Sequence, residues 1–253
     1  MSHIPGKFVW FEHVSNDIAK ARSFYEPLFG WHTEAMPMGN GDAYHVILNG
    51  GAGVGGYSKA PAGAPNCWLS YLSVADVDAS YKEALAAGAK SLMAPTDYGA
   101  AGRAATLADP TGAVFSLWKG ARDDPADVAE APAGGWVWNE LTTQDPKAAL
   151  AFYAKAFGFS HDEMPMPEGS YYLLKQGDTM RGGLAKAMDA STPAMWMQYV
   201  KVDDCDAASA KAKGLGAHIV VPPTDIPNVG RFSMFADPLG AMLAVLKPAP
   251  TAS

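Results

Sequence analysis

Val9-Trp10-Phe11-Glu12 and its echo Val137-Trp138-Asn139-Glu140 decide how this chain is read, because the pattern downstream of the first recurs downstream of the second at a spacing of 128 residues. Adding 128 carries Asp17 onto Asp145, Phe24-Tyr25 onto Phe152-Tyr153, Phe29-Gly30 onto Phe157-Gly158, and Trp68 onto Trp196. It also carries Tyr71 onto Tyr199, Pro95-Thr96-Asp97 onto Pro223-Thr224-Asp225, Gly102-Arg103 onto Gly230-Arg231, and Asp109-Pro110 onto Asp237-Pro238. One unshifted register over about a hundred residues implies duplication of a whole domain. Solenoid repeats recur every 20 to 50 residues or so and do not fit.

The chain of 253 residues has room for two domains of about 100 to 150 residues each. The pattern assigns residues 1–120 to the first domain, 121–134 to a linker rich in proline and acidic residues, 135–248 to the second domain and 249–253 to a tail. Hydrophobic residues make up 49% and charged residues 18%, so two real cores can form. A net charge of -7 disfavours a nonspecific grip on nucleic acid or on acidic membrane surfaces. Neither a basic flank with an apolar run at Met1–Phe11 nor a stretch of 18 apolar residues occurs, so a soluble cytoplasmic protein is expected. Cys67 aligns with Met195 and Cys205 with Val77, which predicts reduced, buried thiols outside any shared framework.

Phe8–Val14 reads as a strand and Asp17–Phe29 as a helix whose apolar positions recur at three- and four-residue steps, with Gly30 as its stop. Strands near Trp31–Met36, Ala43–Leu48 and Val54–Ser58 come next, and the order then restarts at Cys67. That second module has a helix near Val77–Ala87 and strands near Lys90–Met93, Arg103–Ala108 and Ala113–Trp118. Each domain is thus predicted to hold two β-α-β-β-β modules. Gly51-Ala52-Gly53-Val54-Gly55-Gly56 satisfies GxGxxG, but two prolines and no helical period come after it, so the glycines read as a strand and its turn. The methionines of Met36-Pro37-Met38 and Met164-Pro165-Met166 read as strand ends packed on a partner module.

With its opening strand, the Asp17–Gly30 helix containing Phe24-Tyr25 and Phe29-Gly30, and the Asp109-Pro110-Thr111-Gly112 turn before a last strand, the sequence resembles the vicinal oxygen chelate superfamily. That group includes glyoxalase I, bleomycin-resistance proteins and extradiol dioxygenases. The resemblance implies an α+β fold of tandem glyoxalase-like domains, in each of which the two modules form a curved mixed sheet around a cavity. Metal-dependent members place ligands at four sheet positions, which here fall on Trp10, Gly55 or Gly56, Leu69 and Ser116. In the copy they fall on Trp138, Gly182 or Gly183, Met197 and Ala244. Divalent cations want imidazole, carboxylate or thiolate, so no metal and no cofactor is expected at either site. His13 aligns with Leu141 and His45 with Leu173, and no histidine pairs with a histidine; a single asymmetric metal site using His13 or His45 is the alternative to surface or strand-edge histidines.

Strand side chains alternate faces, which puts Glu12 on the side of Trp10, Tyr71 on that of Leu69, and Trp118 on that of Ser116. The expected ligand-binding set is therefore Trp10, Glu12, Leu69, Tyr71, Ser116 and Trp118 in the first domain, and Trp138, Glu140, Met197 and Tyr199 in the second. Glu12 and Glu140 either hold a ligand group or act as a base, or are tied to a neighbour such as Tyr71 or Tyr199. Arg103 and Arg231 either meet an anionic ligand group or pair with Asp97 and Asp225. The leading expectation is metal-independent binding of a small, largely apolar molecule by a monomer, favoured over a homodimer, with no nucleic acid or membrane partner. The alternatives are a lyase or dioxygenase with relocated metal ligands or with Glu12 or Glu140 as general base, and a structural protein acting by contact with another protein.

Overall fold

The computed structural model describes residues 3–37, 43–166 and 169–250. The first repeat runs β1 (Phe8–Ser15), α1 (Ile18–Phe29), β2 (His32–Pro37), β3 (Ala43–Asn49), β4 (Ala52–Lys59), β5 (Cys67–Ser73), α2 (Val77–Ala86), β6 (Lys90–Asp97), β7 (Gly102–Ala108) and β8 (Val114–Gly120). The second repeats it as β9 (Trp136–Thr143), α3 (Pro146–Phe157), β10 (Ser160–Met166), β11 (Gly169–Gln176), β12 (Thr179–Lys186), β13 (Met195–Lys201), α4 (Cys205–Gly214), β14 (His218–Ile226), β15 (Gly230–Ala236) and β16 (Met242–Pro248). No helix among the described residues is long and apolar enough to cross a membrane.

Local chemistry sets the element ends. Every helix opens on an aspartate whose carboxylate accepts a backbone N–H of the first turn: Asp17 from Lys20, Asp76 from Ala79, Asp145 from Ala148 and Asp204 from Ala207. Gly30 and Gly158 close α1 and α3 in the left-handed conformation, at φ 71° and 70°. Exchanging one such cap, Asp145→Ala, is expected to lower the midpoint of chemical unfolding by an amount worth about 1 kcal/mol.

Each repeat forms a mixed eight-stranded sheet, in the orders β2-β3-β4-β1-β5-β8-β7-β6 and β10-β11-β12-β9-β13-β16-β15-β14. Strand β1 lies parallel to β4 and β5 parallel to β8, and each module's remaining pairs are antiparallel. The expected curved sheet around a cavity is not what forms: each sheet is open, neither curved round nor closed, and ends on an outer strand at either side. The outer strands are suited to an open edge. Strand β10 is exposed at all seven positions and β2 at five of six. Each outer strand also carries proline, at Pro37, Pro95, Pro165 and Pro222-Pro223, which removes ladder donors.

The repeat register also slips. Pro37 pairs with Ala43, whereas Pro165, 128 residues on, pairs with Ser170, so the β3–β4 hairpin is matched 127 residues later rather than 128. His45, which pairs with Tyr57, therefore corresponds to Tyr172, which pairs with Leu184, and not to Leu173. The spacing of 128 is regained by β5 and β13, where Trp68 matches Trp196.

Contacts gather the chain into two compact units that each combine one module from either repeat. The first unit takes Met1–Trp10, Leu69–Asp127 and Trp138–Met197, and the second takes Phe11–Trp68, Val128–Val137 and Gln198–Ser253. In the second unit Tyr25 of α1 donates to Asp237, the first residue of the closing turn, at 2.9 Å, and accepts from the Trp68 indole at 2.9 Å. The first unit repeats this with Tyr153, Asp109 at 3.1 Å and Trp196 at 2.8 Å. The other oxygen of Asp237 accepts the N–H groups of Leu239 and Ala241. The segment between the repeats is held as well, through Asp127 to Lys7 and Arg181 in the first unit and through Glu130 to Lys201 in the second.

Candidate functional site

Glu12 and Glu140 stand at equivalent places on β1 and β9, opposite Gly56 and Gly183. The Glu12 carboxylate accepts the Tyr44 hydroxyl at 2.8 Å on one oxygen and the Ser58 hydroxyl at 2.7 Å on the other. Glu140 accepts the Tyr171 hydroxyl at 2.8 Å, and that hydroxyl accepts the Trp138 indole N–H at 2.8 Å. Tyrosines that the sequence did not point to, Tyr44 on β3 and Tyr171 on β11, thus tie the carboxylates. Burial, with the adjoining Glu140 charge, pushes the Tyr171 phenol well above its ordinary range, so it acts as a neutral donor. Cys67 lies close enough to Glu12 for its charge, added to burial, to push the thiol up to about 11, and burial does the same for Cys205. Both cysteines are free thiols.

Glycine makes these contacts possible. A Cβ at Gly56 would stand 2.1 Å from the Tyr44 hydroxyl, and one at Gly183 would stand 1.9 Å from that of Tyr171 and 2.9 Å from the Trp138 indole nitrogen. The neighbouring Gly55 and Gly182 face the other way, where a Cβ would meet the backbone oxygens of Phe11 at 2.3 Å and Asn139 at 2.7 Å.

The remaining predicted residues divide between the units. In the first unit Leu69 is buried, Tyr71 pairs with Ser116 across β5 and β8, and the Tyr71 ring meets the Trp118 indole edge-on at 6.1 Å. Ser116 is fully buried with its hydroxyl 2.8 Å from that of Thr106. Trp10 is half-buried and Met197 buried in the same unit, as are the Trp138 and Glu140 positions already described. Tyr199 belongs to the second unit, where it pairs with Ala244 and its ring lies 6.5 Å from that of Phe232. Two grooves lie elsewhere: one of about 360 Å³ is bounded by Val74, Glu83 and Lys155, the other, about 230 Å³, by Phe29, Asp203 and Lys211. None of the predicted residues lines either groove.

The donor set does not suit a metal. The family's ligand positions present an indole, glycines whose side-chain space is already taken, buried Leu69 or Met197, and Ser116 bonded to Thr106 or the methyl of Ala244. Among the described residues no group of three or more His, Cys, Asp or Glu is gathered as a cation would require.

Three further expectations meet the structure here. Arg103 pairs with Asp97 as expected, at 2.9 Å, and Arg231 with Asp225 at 3.0 Å. Each guanidinium also clasps a helix aspartate that the sequence did not point to, Asp78 at 2.7 and 2.9 Å and Asp206 at the same distances. His13 is not a surface or strand-edge residue: it is fully buried on the face opposite Glu12, with Nε2 2.9 Å from Asp237 and its ring among Tyr25, Tyr57 and Trp68. The methionines Met36, Met164 and Met166 are exposed rather than packed, and Met38, like residues 251–253 of the tail, lies outside the described residues.

Two β-α-β-β-β modules joined into a mixed eight-stranded sheet, twice over, with the closing Asp-Pro turn bonded to the helix tyrosine, define the class to which this protein belongs. The chain is a member of the Glyoxalase/Bleomycin resistance protein/Dioxygenase superfamily, whose family model matches residues 7–117 and again 136–245. It is 38% identical over 247 residues to the protein CFP32 of Mycobacterium bovis, covering 95% of this chain and 94% of that one. It is 30% identical to the anthracycline biosynthesis protein DnrV of Streptomyces peucetius, covering 96% and 94%. The fold is shared with the Mn(II)-bound glyoxalase of Novosphingobium aromaticivorans, at TM-score 0.67, 18% identity and coverage of 96% and 82%. It is shared too with the 2,2',3-trihydroxybiphenyl 1,2-dioxygenase of Sphingomonas wittichii, at TM-score 0.63, 16% identity and coverage of 95% and 89%.

Proposed function

We propose that this protein binds a small, largely apolar molecule without a metal, at the sheet faces that carry Glu12 and Glu140. The observation carrying the reading is that both repeats keep a carboxylate with a tyrosine hydroxyl aimed at it across a glycine, at the strands where the superfamily builds its sites. A carboxylate held by hydroxyl donors is oriented as an acceptor, suited to fixing a hydroxyl or amine on an otherwise apolar molecule. Indole, phenol, leucine and methionine side chains at Trp10, Trp138, Tyr71, Leu69 and Met197 supply apolar surface suited to such a molecule. The likeness to a protein named for anthracycline biosynthesis accords with an aromatic occupant. The proposal keeps a monomer as the working state.

Binding of 2-naphthol, monitored by quenching of tryptophan fluorescence, tests the reading. Glu12→Gln and Glu140→Gln are each expected to weaken binding about tenfold while leaving the melting temperature within a few degrees. Intact affinity together with a large loss of stability would make the carboxylates purely structural. Binding is also expected to be unchanged after chelation, with less than about one transition-metal ion per ten chains by elemental analysis; loss of binding on chelation would return a metal to the site.

A further inference from the structure

We infer that the sheet faces carrying Glu12 and Glu140 are each built for a planar aromatic molecule of at least three linearly fused rings with a hydroxyl at one end, and that Met36 and Met164 set this length. The inference rests on the binding reading above and names the ligand class of the same two faces. Each face draws on a single compact unit: Glu12, Tyr44 and Met36 belong to the second, and Glu140, Tyr171 and Met164 to the first.

Met36 on β2 pairs with Tyr44 on β3, and Met164 on β10 pairs with Tyr171 on β11. Directly paired residues of an antiparallel ladder share a face. Each methionine therefore stands on the side from which the tyrosine hydroxyl reaches the glutamate. The two hairpins differ in length by one residue, and methionine meets that tyrosine in both. The tyrosine ring lies down on the sheet between glutamate and methionine. A Cβ at Gly56 would be 2.5 and 2.9 Å from Cζ and Cε1 of Tyr44, and one at Gly183 would be 2.6 Å from Cζ of Tyr171. Both tyrosines are only half-buried. A carboxylate, a phenol ring and a thioether thus follow one another across the sheet in each repeat.

The strand orders β2-β3-β4-β1 and β10-β11-β12-β9 put two strands between the methionine and the glutamate. The separation is three interstrand steps of about 4.8 Å, or about 14 Å in all. A two-ring molecule whose hydroxyl is bonded to the carboxylate stops short of the outer strand, and a third linear ring reaches it. Outer strands are ordinarily protected by charged side chains, whereas Met36 is 55% and Met164 42% exposed. A flexible, polarisable thioether is suited to the rim of an aromatic ring, where sulfur makes favourable contacts.

Equilibrium dialysis of the full-length protein gives dissociation constants for 2-naphthol, for 2-hydroxyanthracene, and for 9-hydroxyphenanthrene, which has three rings but carries its hydroxyl on the middle one. 2-Hydroxyanthracene is expected to bind about tenfold more tightly than either of the others. Met36→Ala with Met164→Ala is expected to bring it down to the affinity of 2-naphthol at an unchanged melting temperature, since neither methionine belongs to the core. Met36→Leu with Met164→Leu, which keeps an apolar side chain at the rim, is expected to retain most of the advantage. Equal affinity for the two three-ring molecules, or an alanine pair that spares 2-hydroxyanthracene or weakens all three alike, would overturn the inference and leave the binding reading standing. Failure of all three to bind would remove the binding reading itself and this inference with it.

Discussion

Replacing Asp237 by alanine is expected to cost about 3–5 kcal/mol of folding stability, as removal of one partner from a buried charged network does. The carboxylate takes the His13 ring, the Tyr25 hydroxyl and the N–H groups of Leu239 and Ala241, and all four lose their acceptor together. Against a total stability of about 5–15 kcal/mol, such a loss is readily seen in the urea midpoint. His13→Leu should cost far less, about 1 kcal/mol, because the first unit already has Leu141 in the corresponding place while Asp109 keeps its tyrosine and turn bonds. Equal losses for Asp237→Ala and His13→Leu would show that the histidine, and not the carboxylate, organises this core.

The same carboxylate sets an acid limit. Burial by itself would raise the Asp237 pKa, but the hydrogen bond and charge of His13 and the two turn N–H groups outweigh it and hold the carboxyl below its ordinary range. A carboxyl depressed in the folded state stabilises the protein fully above its unfolded pKa of about 3.9, and the contribution is lost as pH falls through the lower folded value. Acid unfolding of His13→Leu is accordingly expected to begin at higher pH than that of the wild-type protein, in a series of thermal melts between about pH 2 and 6.

Gly55→Ala is expected to cost about 1–3 kcal/mol, because its Cβ would lie 2.3 Å from the Phe11 carbonyl oxygen and only movement of the sheet backbone can relieve it. Gly56→Ala meets the far end of the Tyr44 side chain, so the ring swings and the bond to Glu12 is the main loss, worth about 1 kcal/mol. The two substitutions should therefore separate stability from binding: the first lowers the melting temperature, the second weakens 2-naphthol. Comparable melting losses with unaltered binding would show that Tyr44 does not orient the carboxylate. The pair also explains why a metal ligand is not readily restored at either position, since one side is closed by backbone and the other by phenol.

Element order and the helix stop at Gly30 were legible because they depend on neighbours in sequence. The pairing of Arg103 with Asp97 was legible too, across a short hairpin, but Asp78 was not, because a helix turn brings it there from 25 residues away. His13 was missed for a similar reason: its acceptor lies 224 residues on, and the second repeat has leucine in its place. A fixed spacing of 128 also paired Tyr44 with Tyr172, whereas the structural match is Tyr171. Five residues separate Pro37 from Ala43 and four separate Pro165 from Ser170, and a fixed spacing cannot show that difference. The curvature expected of the sheets came from resemblance alone, and nothing in strand periodicity could have tested it.

The division of each compact unit between the two repeats bears on how the chain is made. Tyr25 leaves the ribosome 212 residues before the aspartate that satisfies it, and α1 waits for residues 198–253 to complete its unit. Residues 11–68 cannot complete their unit until the module ending in β16 has been made. Such long-range closure is slow and leaves apolar strands uncovered in the interval. A chain truncated after Gly120 is therefore expected to be cleaved readily by protease within residues 11–68, which lack the module that completes their unit.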